Sequence, residues 1–229
     1  SRLSAKERQA EKGVIDVGGR SSVTSGKNMD GFVELVKAVV VANGLSETDV
    51  YSGVELSTSQ RSVTLPGYYR PVKDWDLLVV HNYQLVAAFE FKSQVGPSFG
   101  NNFNNRCEEA IGTASDFWVA FREGVFGDSP RPFLGYLILL EDCDRSRKPV
   151  RTRTKHFPTL AEFDGTSYAS RYELLCRKIV QEGLYDVGTL LLSDRTHGLK
   201  GEYVELNETT GLKRLVTGLA GHVAAAAAL

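Results

Sequence analysis

The stretch Trp75-Asp76-Leu77-Leu78-Val79-Val80-His81-Asn82-Tyr83-Gln84-Leu85-Val86-Ala87-Ala88-Phe89-Glu90-Phe91-Lys92-Ser93 decides how this chain folds. Two apolar runs, residues 75–80 and 85–91, flank the short segment His81-Asn82-Tyr83-Gln84, a pattern that predicts an antiparallel hairpin. Side chains along a strand alternate between faces, so Glu90 and Lys92 share one face while Phe89 and Phe91 share the other. Two charges on an otherwise apolar strand are costly unless they have partners or work to do. The register decides whether Asp76 joins them. With residues 82–84 as a three-residue loop, His81 pairs with Leu85 and Asp76 falls opposite Glu90. A two-residue loop slips the pairing by one and sets Asp76 against Phe89, on the wrong face. In the first register two carboxylates and an ammonium meet at one end of a sheet. Hard oxygen donors of this kind suit Mg2+, which keeps several waters and completes its shell with substrate phosphate.

Outward from this hairpin, the pattern alternates. Phe32, Val33, Leu35, Val36, Val39 and Val40 predict a largely buried helix over 29–43, stopped by Gly44. Residues 45–74 read as turns and short extended pieces, with a bend at Leu65-Pro66-Gly67. Residues 96–105 read as a Gly/Asn-rich loop that leads into a helix over about 106–123. Strands are expected over 134–140 and 187–192, an amphipathic helix over 167–181 and a last helix over 211–227. Strands alternating with helices, plus one antiparallel hairpin, predict an α/β fold with a mixed β-sheet flanked by helices. Residues 1–28 are polar and Gly/Ser-rich and read as an N-terminal arm, with residues 29–229 as a single domain.

Composition narrows the function classes. At 229 residues, with 42% hydrophobic and 24% charged content, the chain resembles an average globular domain rather than a disordered or fibrous one. The 27 basic and 28 acidic residues nearly cancel, so any anionic partner must be met by a local cluster. Cys107, Cys143 and Cys176 form no CxxC pair, which supports neither a disulfide framework nor a structural zinc site and suggests a reducing, cytoplasmic setting. The apolar runs are too short to span a bilayer, and no secretory signal opens the chain, so no membrane partner is expected.

Asp76 followed by Glu90-Phe91-Lys92 resembles the PD-(D/E)XK nuclease motif, with Trp75 where that motif has proline. Longer strings are more specific. Leu65-Pro66-Gly67-Tyr68-Tyr69-Arg70-Pro71, Val95-Gly96-Pro97-Ser98-Phe99-Gly100-Asn101-Asn102-Phe103-Asn104-Asn105-Arg106 and Glu108-Glu109-Ala110-Ile111-Gly112 resemble the XhoI family of type II restriction endonucleases. The resemblance runs from about residue 26 to the C-terminus. It implies a restriction-endonuclease-like core and a Mg2+-dependent homodimer that cuts double-stranded DNA within the palindrome CTCGAG, leaving 5′-phosphates. A cognate DNA methyltransferase would be a functional, not physical, partner, and the setting a prokaryotic cytoplasm. On this reading Asp76, Glu90 and the Phe91 carbonyl would hold the metal, and Lys92 would orient the attacking water and stabilise its hydroxide form, or act as the base if its pKa is depressed. Glu34, on the first helix, is a further candidate ligand, whereas Asp74 shares the face of Asp76 but is expected outside the metal shell.

Asn101, Asn102, Asn104, Asn105 and Arg106 offer amide and guanidinium groups suited to base edges in the major groove. Arg145, Arg147, Lys148, Arg151, Arg153 and Lys155 form the one strong basic cluster and are candidate phosphate contacts. The bland alternatives are Asx-turns for the first set and a solvated charge run for the second. Two other classes compete. Gly96-Pro97-Ser98-Phe99-Gly100 matches the GxSxG of a serine hydrolase, with Asp142 and His156 following in chain order. A DNA-binding module of the same fold that no longer cleaves is the second, and the intact Asp76, Glu90 and Lys92 argue against it.

Overall fold

The structure, a computed structural model, describes residues 29–53, 63–198 and 201–229. The expected arm over residues 1–28 lies outside the described residues. Helix α1 (Asp30–Ala42) buries Val33, Val36, Val39 and Val40 along one stripe, and the chain turns away at Gly44, whose φ of 103° is open to glycine. Strand β1 (Val50–Ser52) follows, then a small hairpin of β2 (Thr64–Pro66) and β3 (Val72–Asp74). The central hairpin is β4 (Leu77–His81) and β5 (Gln84–Gln94). Then come helix α2 (Phe99–Arg122), strand β6 (Phe133–Glu141), a single turn α3 (Asp144–Arg147), helix α4 (Tyr168–Gln181), strand β7 (Val187–Ser193) and helix α5 (Leu212–Ala227). The main sheet has the order β1-β4-β5-β6-β7, with antiparallel pairing up to β5 and parallel pairing beyond it.

Each face of this mixed sheet is covered. Leu78, Ala88, Leu134, Tyr136, Ile138, Leu190 and Leu192 pack with Ala114 and Phe117 of α2 and Tyr172 and Ile179 of α4. Leu77, Val79, Phe89, Phe91, Leu137 and Leu191 pack on the other side with α1 and α5. β5, at the centre, is buried on both faces, which is why its apolar residues run on without a break. Among the described residues no helix is long and apolar enough to cross a membrane.

The turn between β4 and β5 departs from the three-residue loop that the register argument required. Asn82 and Tyr83 form a two-residue turn with φ of 49° and 63°, and His81 pairs with Gln84. Alone, that turn would set Asp76 opposite Phe89. A β-bulge intervenes between Val79 and Val80: Val80 pairs with Leu85 but Val79 with Ala87, so β5 carries one extra residue. From there Leu77 pairs with Phe89, and the next step brings Asp76 level with Glu90.

A second departure concerns residues 99–105. They are the first two turns of α2, not a loop. Phe99, Phe103, Cys107, Ala110, Ala114 and Phe117 recur at helical spacing and pack into the α2–α4 side of the core. That stripe overrides the low helix propensity of the asparagines and glycine between its members.

Candidate active site

Asp76, Glu90 and Lys92 converge on the α2–α4 face, at the end of the sheet where β4 stops short of β5. The Asp76 amide still donates to the Phe89 carbonyl (3.2 Å), and the Phe91 amide donates to Asp76 Oδ2 (2.7 Å). The carboxylate of Asp76 thus takes the ladder position that β4 would have filled. In a strand, the N–H and C=O of one residue point to the same side. The Phe91 carbonyl therefore faces the edge that Asp76 occupies. Lys92 Nζ lies 3.6 Å from Asp76 Oδ2 and bonds Glu90 Oε2.

Glu90 is the deepest charge in the cluster. Its side chain is 5% exposed against 43% for Asp76, and both of its oxygens are held: Oε2 by Lys92 and Oε1 by Lys73 from β3. Two carboxylates face two ammonium groups, so the cluster is neutral as it stands. Partial desolvation and the neighbouring Glu90 charge raise the pKa of Asp76, although Lys92, the Phe91 amide and Lys73 oppose this. Burial disfavours the Lys92 ammonium, but Glu90 and Asp76 outweigh it and its pKa stands above that of a free lysine.

Among the described residues no three His, Cys, Asp or Glu side chains form a ready metal cage. The donor set still fits a hard divalent cation. One or two carboxylates with a backbone carbonyl, waters and a substrate phosphate are the ligands such an ion takes. Glu34 is not brought to this cluster. It stands 69% exposed on α1, on the opposite face of the sheet, 3.5 Å from Lys37. Asp74 turns away from the carboxylate pair and accepts a 2.6 Å bond from the Thr64 hydroxyl.

Asn101, Asn104 and Asn105 are exposed along one side of the first turns of α2, a helical face rather than a loop. Asn102 and Arg106 are half-buried on its flank. The Arg106 guanidinium bonds Glu109 and its field is felt at Lys92. In the basic segment, Arg147 makes a two-point bond to Asp142 (2.6 and 2.8 Å) and Lys148 bonds Asp144 (2.9 Å). Arg145, Arg151 and Arg153 are exposed and make no ion pair among the described residues. A groove bordered by Arg151, Arg153, Phe163 and Asp164 opens along this segment, and neither Asp76 nor Glu90 lines it.

Sequence reasoning missed two residues. Lys73 carries no local signal, because only the packing of a second hairpin brings it to Glu90. Arg171 of α4 fixes the root of the basic segment, donating to the Val150 carbonyl (3.0 Å) and the Thr152 hydroxyl (2.7 Å). The serine-hydrolase arrangement does not assemble. Ser98 does pass directly into a helix, as a nucleophile elbow should, but its hydroxyl makes no hydrogen bond to His156 among the described residues, and Arg147 occupies Asp142.

Compared with known proteins, residues 8–205 match the model of the family described as restriction endonuclease XhoI. The chain is 48% identical over 219 residues to the type II restriction enzyme BstVI of Geobacillus stearothermophilus, covering 93% of this chain and 95% of that one. It is 51% identical over 182 residues to the type II restriction enzyme XhoI of Xanthomonas vasicola, covering 80% and 71%. With the type II restriction enzyme AbrI of Azospirillum brasilense the identity is 53% over 157 residues, covering 69% and 68%. No solved structure gives a significant match.

Proposed function

The chain belongs to the XhoI restriction endonuclease family, a type II restriction endonuclease and so a hydrolase of DNA phosphodiester bonds, and from that premise we propose that it cuts double-stranded DNA within CTCGAG, with Mg2+, leaving 5′-phosphates. The observation that carries this reading is the meeting of Asp76, Glu90 and Lys92 at the open end of β4, beside the Phe91 carbonyl. Asp76, Glu90 and that carbonyl would hold the metal. When bound, Mg2+ neutralises the phosphate and lowers the pKa of a coordinated water. Asp76 is the more open carboxylate, 43% exposed against 5% for Glu90, and so the one a substrate can reach. Lys92, bonded to Glu90 and 3.6 Å from Asp76, stands where it would orient the attacking oxygen and offset its charge. Attack on phosphorus breaks the bond to the 3′-oxygen, which leaves as a hydroxyl with the phosphate on the 5′ side.

The exposed amides of Asn101, Asn104 and Asn105 suit adenine edges in the major groove, with Asn102 and Arg106 at their flank. Arg145, Arg151 and Arg153 suit phosphates, while Arg147 and Lys148 are already engaged with acids of their own segment. The enzyme works as a homodimer whose two-fold axis matches that of the palindrome, in a prokaryotic cytoplasm where a methyltransferase protects the same sequence. Digestion of a mapped plasmid with Mg2+, followed by sequencing of the fragment ends, tests the proposal. Cuts at each CTCGAG with 5′-phosphates are expected. Cuts at another sequence, or ends carrying 3′-phosphates, would overturn it.

A further inference from the structure

Lys73 sits on the short strand β3, between Val72, which is 58% exposed, and Asp74, which is exposed as well. Alternation turns Lys73 inward, and its side chain is only 14% exposed. An inward charge on a three-residue strand is costly without a partner. Its partner is Glu90 Oε1, reached with the ammonium 4.6 Å from the Trp75 ring centre and with a second bond, 2.7 Å, to the Asp74 carbonyl. The hairpin that carries Lys73 is firmly placed. The buried carboxylate of Asp116 accepts from the amides of Tyr68 (2.9 Å) and Tyr69 (2.7 Å) and from Arg70 Nε (2.8 Å). At Gly67 a Cβ would stand 2.6 Å from that carboxylate, so the turn and its clamp fit each other. Lys92 belongs to the same strand as Glu90, but Lys73 is delivered to it from a separate element.

We propose that Lys73 is a second cation of the active site, which neutralises Glu90 until a divalent ion takes its place and then turns to the phosphate being cut. Both Glu90 oxygens are bonded by ammonium groups, so an ion that binds Glu90 meets their charge and competes with them for it. Lys73 already makes a second bond, to the Asp74 carbonyl, whereas the other neighbour of Lys92 is Asp76 Oδ2, 3.6 Å away, a group that would serve the same ion. Once released, Lys73 would remain at the site through the Asp74 carbonyl, where its charge would oppose the negative charge that builds on a phosphate held there. The inference rests on the assignment of Glu90 as a metal ligand.

Ca2+ titrated calorimetrically into the full chain without DNA tests it, using wild type, Lys73→Met and Glu90→Gln. Lys73→Met keeps the stem and removes the competing charge, so it is expected to bind Ca2+ about tenfold more tightly than wild type. With saturating Mg2+ and cognate DNA, its single-turnover cleavage is expected to fall about a hundredfold. If Lys73→Met does not fold, Lys73→Gln is read in the same way. Unchanged or weaker Ca2+ binding by the Lys73 variant, with binding lost in Glu90→Gln, would overturn the inference and leave the metal assignment standing. Tighter binding with cleavage at the wild-type rate would also overturn it, because Lys73 would then do nothing for the phosphate. If Glu90→Gln binds Ca2+ as wild type does, the metal assignment fails and the inference fails with it.

Discussion

At Glu90 a carboxylate buried to 5% exposure is tolerable only because two ammonium groups share it. The same pairing sets the role of Lys92. Bonded to Glu90 and 3.6 Å from Asp76, it is proposed to act on the transition state through its charge. Lys92→Ala is therefore expected to lower the single-turnover rate by about 10²–10³ while Ca2+-dependent binding of cognate DNA changes far less. Equal losses in rate and binding would mark Lys92 as a phosphate anchor instead. Glu90 and Lys92 were legible as a pair from strand alternation, whereas Asp76 joins them through a bulge and not through the three-residue loop that the sequence suggested. Lys73 was not legible. It lies in another hairpin, and no local pattern distinguishes it from a solvated lysine.

Among the elements, the hairpin of β2 and β3 depends on one side chain from α2. Asp116→Asn weakens the two amide bonds and the Arg70 pair, and is expected to cost about 2 kcal/mol of stability, read as a lower midpoint of thermal unfolding. The carboxylate is held below the usual carboxylate range: burial pushes it up, but the Tyr69 amide, Arg70 and the Tyr68 amide more than offset this. Its stabilising share is present above the ordinary aspartate pKa and is lost as the pH falls through the lower folded value. Helix α5 docks on β5 partly through His222, whose Nε2 lies 3.0 Å from the Val86 carbonyl and whose ring lies against Phe133. Burial lowers its pKa, so the folded state prefers the neutral ring. Stability is full above the ordinary histidine pKa and declines as the pH drops below it. His222→Asn should flatten that decline in unfolding titrations between about pH 7 and 5. The helices and strands were legible from their periodicity, but two details were not. The bulge in β5 leaves no residue signature, and its effect was to rescue a register that the tighter turn would have broken. The start of α2 was hidden by its asparagines, although Phe99, Phe103 and Cys107 already carried the helical spacing.

For the whole molecule, affinity for DNA and the reading of its sequence are proposed to belong to different surfaces. Neutralising Arg145, Arg151 or Arg153 should weaken cognate and random DNA alike and lower the slope of log K against log salt by about 0.9 each. Arg147 and Lys148, already paired, should lower it less. Replacing Asn101, Asn104 or Asn105 by Ala should cost about 1–3 kcal/mol on the cognate duplex and little on a scrambled one. In a two-fold symmetric dimer the lost preference should appear at both related base pairs. Titrations with Ca2+ at several salt concentrations measure both effects, and equal losses on the two duplexes would confine the asparagine face to positioning. In the proposed enzyme these surfaces would serve one centre, which Glu90 with Asp76 would make a metal-dependent nuclease. The most direct test is single-turnover cleavage of a plasmid carrying one CTCGAG site, with Mg2+, by wild type and by Glu90→Gln matched in thermal unfolding. The account predicts that wild type cuts at that site and that the variant is slower by at least about a thousandfold. Cutting by Glu90→Gln at the wild-type rate would contradict it.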